Sequence, residues 1–553
     1  MTLSKEKYKA LEDIVGPDYI ADDPALLDSY TYPLATTSLH MGPCYNTFTP
    51  RGQAVLLPGN TEEVQAIVKV CNMYKIKYKA SSTFWGAMGY PSEDKNTIQL
   101  DMRRMDRILE IDEKNMFAVI EPHVIGATLQ AEAMKRGLNA HIHGPGASCS
   151  PLASATSYGG MGPDGIFMGA GDEVLLGVEW VMPDGNLLRV GSPGSGLGWF
   201  YGEGPGPSVK AIVRGAQGSK GSMGVFTKCA VKLSAWPGPP IVPVEGIVPA
   251  YKAALPDNFK MYTLAFPTWQ AWADATHMIW DAGLGYIAHR QFSMFGRDLK
   301  MGMLKILADP TKTLSDLDEV LQLPEVQEAT ENMKRDFQFV LAGMTQRDIE
   351  WQEKALDVIL AKTGGWKVSA LLDDPVLRNW SLLYMIKMGH KNLNLVYAGG
   401  YDGCFGLMGP PDHGIRYVEE AAEFKKEWEE KEDTIVSAGG DCMMGGVATI
   451  GGGATIVWEN FTCWDPYDKE STEGAFRFFE ATSKFGIDRH FGPGMERGNA
   501  VSRANDGYET PKEVRESMMA ADRQPSTFRY QRKIREVFNP NDLGDAYYQT
   551  LSE

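Results

Sequence analysis

From Pro183 to Leu233 the order of residues leaves the backbone little choice. Val174 to Met182 is a near-continuous apolar run of strand length, and Asn186 to Val190 resumes it after Pro183-Asp184-Gly185, so the pair reads as a β-hairpin. The segment from Arg214 to Lys228 then brings in Gly215, Gly218, Gly221 and Gly224, and a further strand is predicted from Val225. Glycine admits positive φ and lets a ligand approach without a Cβ in the way, as cradling a phosphate or the edge of a flat ring requires. A glycine-rich turn alone is more often structural punctuation, so its meaning depends on what accompanies it.

The chain has 553 residues, 43% hydrophobic and 10% aromatic, enough for roughly two to four domains with sizeable cores. Its formal net charge of −17 argues against nucleic acid or an anionic membrane as partner, because either needs a basic footprint. Met1 to Pro17 is charged and helical in character and lacks the apolar core of a signal peptide. No apolar run is long enough to span a bilayer, so a cytoplasmic protein without membrane insertion is expected. The seven cysteines are scattered with no CxxC pair, which disfavours a disulfide framework, structural zinc or an iron–sulfur cluster.

The predicted architecture is α+β. Val55 to Leu57 reads as a strand, Thr61 as the N-cap of a helix whose buried face is Val64, Ile67, Val68 and Cys71, and Lys77 to Ala80 as the next strand. That strand runs into the small-residue loop Ser81 to Gly89, which could receive a pyrophosphate on backbone amides and hydroxyls. Strands follow at Ile98–Asp101 and Phe117–Glu121, then a helix from Ala127 to Arg136 closed by Gly137. His141 to Gly171 lacks regular periodicity, and such long irregular stretches inside a compact domain are usually functional. Composition shifts after Trp236-Pro-Gly-Pro-Pro240. Beyond it, strands at Met261–Phe266, Leu393–Ala398 and Ala454–Phe461 alternate with helices such as Val418–Glu432, the pattern of an α+β domain with an antiparallel sheet.

Six signatures in chain order resemble the vanillyl-alcohol oxidase / p-cresol methylhydroxylase (PCMH-type) flavoprotein family. They are Pro58 to Val64; the loop Ser81 to Gly89; Leu100-Asp101-Met102 followed by Glu121-Pro122; Gly177 to Gly185; Gly206-Pro207 leading into Arg214 to Lys228; and Phe538 to Asn541. The resemblance implies a two-part FAD-binding domain at 1–240 with its core at about 50–235, a substrate-binding cap at 241–485, and a segment, 486–553, returning to the FAD domain. It implies FAD with its pyrophosphate on Ser81, Ser82, Thr83, Phe84, Trp85 and Gly86. Glu121, Pro122, Gly144, Pro145, Ser148, Gly159 and Gly160 would lie near the cofactor, and the isoalloxazine ring between Gly144–Asp172 and the cap. Backbone at Gly224 and Val225 would meet the flavin's polar edge and stabilise its reduced, anionic form. A homo-oligomer is expected on the same ground.

Two departures bear on chemistry. Ser81 to Tyr90 contains no histidine, and Val457-Trp458-Glu459 stands where other relatives carry a cap histidine, so noncovalent FAD is expected, a cap tyrosine linkage staying open. Ala87 falls at a position where phenol-oxidising relatives have a tyrosine, with Tyr90 three residues on. By the same resemblance Arg489 is the candidate anion-binding residue, holding phenolate or carboxylate by charge-assisted hydrogen bonds. Glu459 is a candidate general base, and Asp164, in Gly162-Pro-Asp-Gly165, lies close to where some relatives carry an acid beside the flavin. The alternative for Asp164 is an ordinary turn residue. His141 and His143, on one side of an extended segment, could make a metal site with His123, but no carboxylate accompanies them at ligand spacing and no metal is expected.

The expected function is an FAD-dependent oxidoreductase acting on an aromatic alcohol or para-alkylphenol by hydride transfer to flavin N5, with oxygen or an electron-acceptor protein as oxidant. Trp269, Trp272, Trp280, Trp380, Tyr384, Met385 and Met388 make the cap rich in groups suited to an aromatic substrate, or simply to its own core. A 2-hydroxy-acid dehydrogenase, with Arg489 binding carboxylate, is the alternative enzyme. A non-catalytic flavin-binding subunit of an electron-transfer complex is the alternative of another class.

Overall fold

Val64, Ile67, Val68 and Cys71 are all buried, and covering that stripe assembles the first layer of the fold. The structure is a computed structural model and describes residues 3–31, 44, 51–84, 95–143, 146–157, 162–201, 203, 206–213, 223–246, 252–253, 256–290, 297–369, 375–387, 401–431, 444–450, 453–489 and 525–544. The first sheet contains β1 (Ile20–Ala21), β2 (Ala54–Leu56), β3 (Lys77–Ser81) and β4 (Thr97–Asp101) in the order β1-β2-β4-β3, with β2, β4 and β3 parallel. Parallel neighbours need a crossover, and the helix Thr61–Tyr74 supplies it between β2 and β3. Its N-cap is Asn60 rather than Thr61: the Asn60 side chain accepts from Glu63 N at 2.8 Å. The shift by one residue frees the Thr61 hydroxyl, which donates to Glu179 Oε1 at 2.8 Å.

The second sheet contains β5 (Ile108–Asp112), β6 (Phe117–Ile120), β7 (Leu138–Ala140), β8 (Leu175–Val181), β9 (Leu187–Val190) and β10 (Val225–Ala235). Its order is β5-β6-β10-β8-β9 with β7 on β10, antiparallel throughout. The β8–β9 hairpin closes where expected: Met182 N donates to Asn186 O at 2.9 Å, and Gly185 has φ +84°. Gly224 has φ +88°, and a Cβ there would sit 2.3 Å from Val181 O. The start of β10 therefore passes the end of β8 too closely for any side chain.

A short hairpin, β11 (Val244–Glu245) and β12 (Lys252–Ala253), leads to the third sheet. That sheet contains β13 (Phe259–Ala265), β14 (Ile287–Arg290), β15 (Asp336–Ala342), β16 (Trp366–Lys367), β17 (Tyr401–Gly409), β18 (Met444–Ile450) and β19 (Gly453–Cys463). Its order is β16-β13-β15-β14-β18-β19-β17, with every pairing antiparallel. Alternation along β15 explains its placement. Phe337, Phe339 and Leu341 join a core with the helices Trp269–Asp281, Gln346–Thr363 and Pro411–Lys431, while Val340 joins Met261, Tyr286 and Ile287 in the core shared with the second sheet. The third sheet is thus covered by helices on one face and by the second sheet on the other, an α+β arrangement as expected. The strand expected at Leu393–Ala398 lies outside the described residues. After the helix Pro525–Phe538 the chain comes back to the first sheet, where Tyr78 N donates to Leu543 O at 3.0 Å.

Candidate functional site

Parallel β3 ends at Ser81, and the loop leaving it starts at the carboxyl edge of the parallel strands, the edge where open α/β sheets bind ligands. Ser81 is held below the loop, its Oγ accepting from Gln99 Nε2 at 3.1 Å. The Ser82 carbonyl lies 2.6 Å from His123 Nδ1, and Phe84 takes φ +53° with its ring edge-on to Tyr30 at 5.5 Å. A positive φ on phenylalanine is uncommon and turns the loop sharply. Ser82 and Thr83 are half-buried, leaving hydroxyls and amides near the strand edge. These donors fit a pyrophosphate. Trp85, Gly86, Gly144, Pro145, Gly159 and Gly160 lie outside the described residues.

The other expected cofactor residues have partners of their own. Glu121 is buried and receives Arg107 N at 3.0 Å, Nε at 3.0 Å and Nη2 at 2.7 Å, a fork that fixes the turn after β6. Pro122 O accepts from the Ser150 hydroxyl at 2.6 Å, and Ser148 is exposed in the turn just before it. Val225 is buried and pairs with Val181.

Pro-Asp-Gly occurs twice in quick succession, and the two aspartates are used differently. In Pro183-Asp184-Gly185 the carboxylate accepts from Asn186 N at 2.8 Å and its Nδ2 at 2.7 Å, as a turn residue does. In Pro163-Asp164-Gly165 the side chain caps nothing in the short helix Gly165–Met168 that follows. It is buried instead, with Oδ2 accepting from Ile142 N at 2.8 Å and Oδ1 lying 2.8 Å from His141 Nδ1, out of hydrogen-bond alignment. His141 and His143 are also buried, their rings 5.1 Å apart at 85°. Burial, and next the neighbouring His141, hold His143 well below the usual histidine range, so it is neutral.

This cluster sits where the second and third sheets meet. Ala288 N of β14 donates to Pro163 O at 3.2 Å, and the helix Gly165–Met168 packs against β18 and β14. Tyr286, one residue before β14, accepts from Asn139 Nδ2 at 2.6 Å, and Gln130 Nε2 donates both to Asn139 Oδ1 at 3.1 Å and to Ile386 O at 2.9 Å. His123 is turned to Ser82, and among the described residues no group of three or more His, Cys, Asp or Glu is arranged to hold a metal ion.

Arg489 follows the helix Lys469–Asp488, and its side chain is 55% exposed, 3.5 Å from Glu420 and 5.5 Å over the Phe485 ring. Its described partners lie on the helices Pro411–Lys431 and Lys469–Asp488, and it makes no described contact with the Asp164 cluster. Glu459 lies on β19, opposite Met444 on one side and Gly406 on the other, with its side-chain contacts outside the described residues. Trp272 is buried against Phe337, and Met385 lies in the shared core, so these two form packing rather than a surface for substrate.

Residues 52–191 match the FAD binding domain family. Among curated proteins, the chain is 25% identical over 248 residues to alkyldihydroxyacetonephosphate synthase of Dictyostelium discoideum, covering 42% of this chain and 36% of that one. It is 24% identical over 231 residues to glycolate oxidase subunit GlcD of Bacillus subtilis, covering 42% and 45%. The matched region thus spans less than half the length of either relative. Over nearly its whole length the structure is similar to 4-ethylphenol oxidase from Gulosibacter chungangensis, with a TM-score of 0.69, 17% identity and coverage of 99% and 98%. The chain therefore carries an FAD-binding domain at residues 52–191 and has the fold of the PCMH-type flavoproteins.

Proposed function

We propose that this protein is an FAD-dependent oxidoreductase that removes hydride from a carbon bonded to oxygen or to an aromatic ring, with an aromatic alcohol or para-alkylphenol as substrate. The observation that carries the reading is the fold: a chain whose residues 52–191 match the FAD binding domain family shares the fold of 4-ethylphenol oxidase over 99% of its length. When bound, the flavin supplies a two-electron acceptor. Ser82 and Thr83 would hold its pyrophosphate, and Gly224 and Val225 would present backbone to its polar edge. The buried Asp164 cluster at the junction with the cap is the polar group that the substrate would meet.

Anaerobic titration tests this. Visible flavin absorbance is expected to bleach with 4-ethylphenol or 4-hydroxybenzyl alcohol. Bleaching by lactate or mandelate alone would favour the 2-hydroxy-acid reading, to which the likeness to glycolate oxidase subunit GlcD points. FAD that no substrate bleaches would favour a non-catalytic flavin-binding subunit. We also propose noncovalent attachment, so acid precipitation is expected to leave the yellow colour in solution; colour in the pellet would mean a covalent link.

A further inference from the structure

In one buried cluster His141 Nε2 and His143 Nδ1 have no hydrogen-bond partner among the described residues, and His141 Nδ1 and Asp164 Oδ1 face each other at 2.8 Å without an aligned hydrogen bond. Buried polar atoms are nearly always satisfied, and an orphan is costly. Two such ring nitrogens beside that pair, where the second and third sheets meet, mark a place built for a polar group that arrives. Asp164 cannot serve the turn it sits in, because the Ile142 amide draws its carboxylate toward the histidine strand.

We propose that His141, oriented by Asp164, is the base that takes the hydroxyl proton of the substrate, with Nε2 as the accepting atom. This rests on the oxidoreductase reading. In a para-alkylphenol or para-hydroxybenzyl substrate the proton is the phenolic one: the benzylic C–H electron pair would leave as hydride to the flavin, the phenolic O–H electron pair becomes the ring C=O bond of a quinone methide, and the proton ends on His141 Nε2.

Geometry selects His141 over His143. With Nδ1 facing the carboxylate, the favoured tautomer carries its proton there, leaving the Nε2 lone pair free. Ile142 N fixes the other carboxylate oxygen, so the imidazolium that forms finds a charge already in place. His143 is neutral and acts by packing edge-on against the His141 ring. From the cap, Tyr286 bears on Asp164 and stays protonated, because burial pushes its hydroxyl up.

The test uses FAD-loaded wild type, His141→Gln and Asp164→Asn, with two readouts. The first is anaerobic flavin reduction by 4-hydroxybenzyl alcohol. Both variants are expected to retain FAD, with reduction about 10²–10⁴-fold slower in His141→Gln and slowed in Asp164→Asn because the tautomer is no longer fixed. The second needs no turnover: 4-nitrophenol, added below its own ionisation, is expected to bind wild type as yellow phenolate and His141→Gln as neutral phenol. Unchanged reduction in His141→Gln, or identical 4-nitrophenol spectra in the two proteins, overturns the proposal. Should His141→Gln fail to hold FAD, the same two outcomes are read from Asp164→Asn. If only 2-hydroxy acids reduce the wild-type flavin, the aromatic substrate is wrong, and the base is judged by loss of that reduction in His141→Gln. A wild-type flavin reduced by neither class overturns both readings.

Discussion

Glu179→Ala is expected to destabilise the protein by about 3 kcal/mol, the low end of the range for removing one partner of a buried ion pair. Glu179 lies on β8 directly opposite Arg189 of β9 and Lys228 of β10. Oε1 receives Lys228 Nζ at 2.7 Å, Thr61 Oγ1 at 2.8 Å and Thr227 Oγ1 at 3.0 Å, and Oε2 receives Arg189 Nε at 2.8 Å. Removing the carboxylate leaves two cations facing each other. Both reach partly into water, which is why the lower end of the range applies. Thr61 opens the helix between β2 and β3, so the same carboxylate ties the first sheet's helix to the second sheet. Urea unfolding measures the loss, and a midpoint equal to wild type would show the cluster to be ornamental.

The same group sets a pH dependence. Burial alone would raise the Glu179 carboxyl, but Lys228, Arg189 and Thr61 outweigh it and hold the group below its ordinary value. A carboxyl depressed in the folded state contributes stability that is fully present above the unfolded value of about 4.3 and is lost as pH falls through the folded value. The gap between wild type and Glu179→Gln is therefore expected to be widest near neutrality and to close in acid. A gap that stays constant into the acid range would assign the deficit to lost hydrogen-bond geometry instead.

The parts of the fold legible in the sequence were those where a local rule and the tertiary environment agree. The hairpin at Pro183-Asp184-Gly185, the stripe Val64, Ile67, Val68 and Cys71, and β10 from Val225 follow from turn chemistry and periodicity. Strand β15 did not stand out, because Phe337, Phe339 and Leu341 serve one core and Val340 another, which erases the polar alternation that marks a half-exposed strand. Thr61 misled for a related reason: threonine is a sound N-cap, but here its hydroxyl is spent on Glu179, 118 residues away. At the candidate site, sequence gave Asp164 and the His141/His143 pair separately. Their union depends on the turn at 162–165 folding back on Ile142, a long-range contact that no spacing encodes. The one available hint was the Pro-Asp-Gly at 163–165, in a stretch with no hairpin to close.

Gly162→Ala is expected to remove substrate-driven flavin reduction while leaving most of the fold intact. A Cβ on Gly162 would fall 1.6 Å from Ile142 O and 2.8 Å from its carbonyl carbon, both backbone atoms with no rotamer to yield. Gly162 and Ile142 must therefore separate. Ile142 carries the amide that holds Asp164 Oδ2, and Gly162 O accepts from Gly165 N at 3.0 Å, so the displacement passes directly into the dyad. Overpacking of this kind costs about 1–3 kcal/mol. A shift of about 1 Å in a group that must meet a substrate can cost on the order of 10²-fold in rate. Gly283→Ala is the control. Gly283 has φ +62° but nothing within 4 Å of its would-be Cβ, so it pays backbone strain without displacing a neighbour. Comparable unfolding midpoints for the two variants, with flavin reduction lost only in Gly162→Ala, would place the defect at the dyad. Equal reduction rates in both would separate Gly162 from the chemistry and leave it a packing residue.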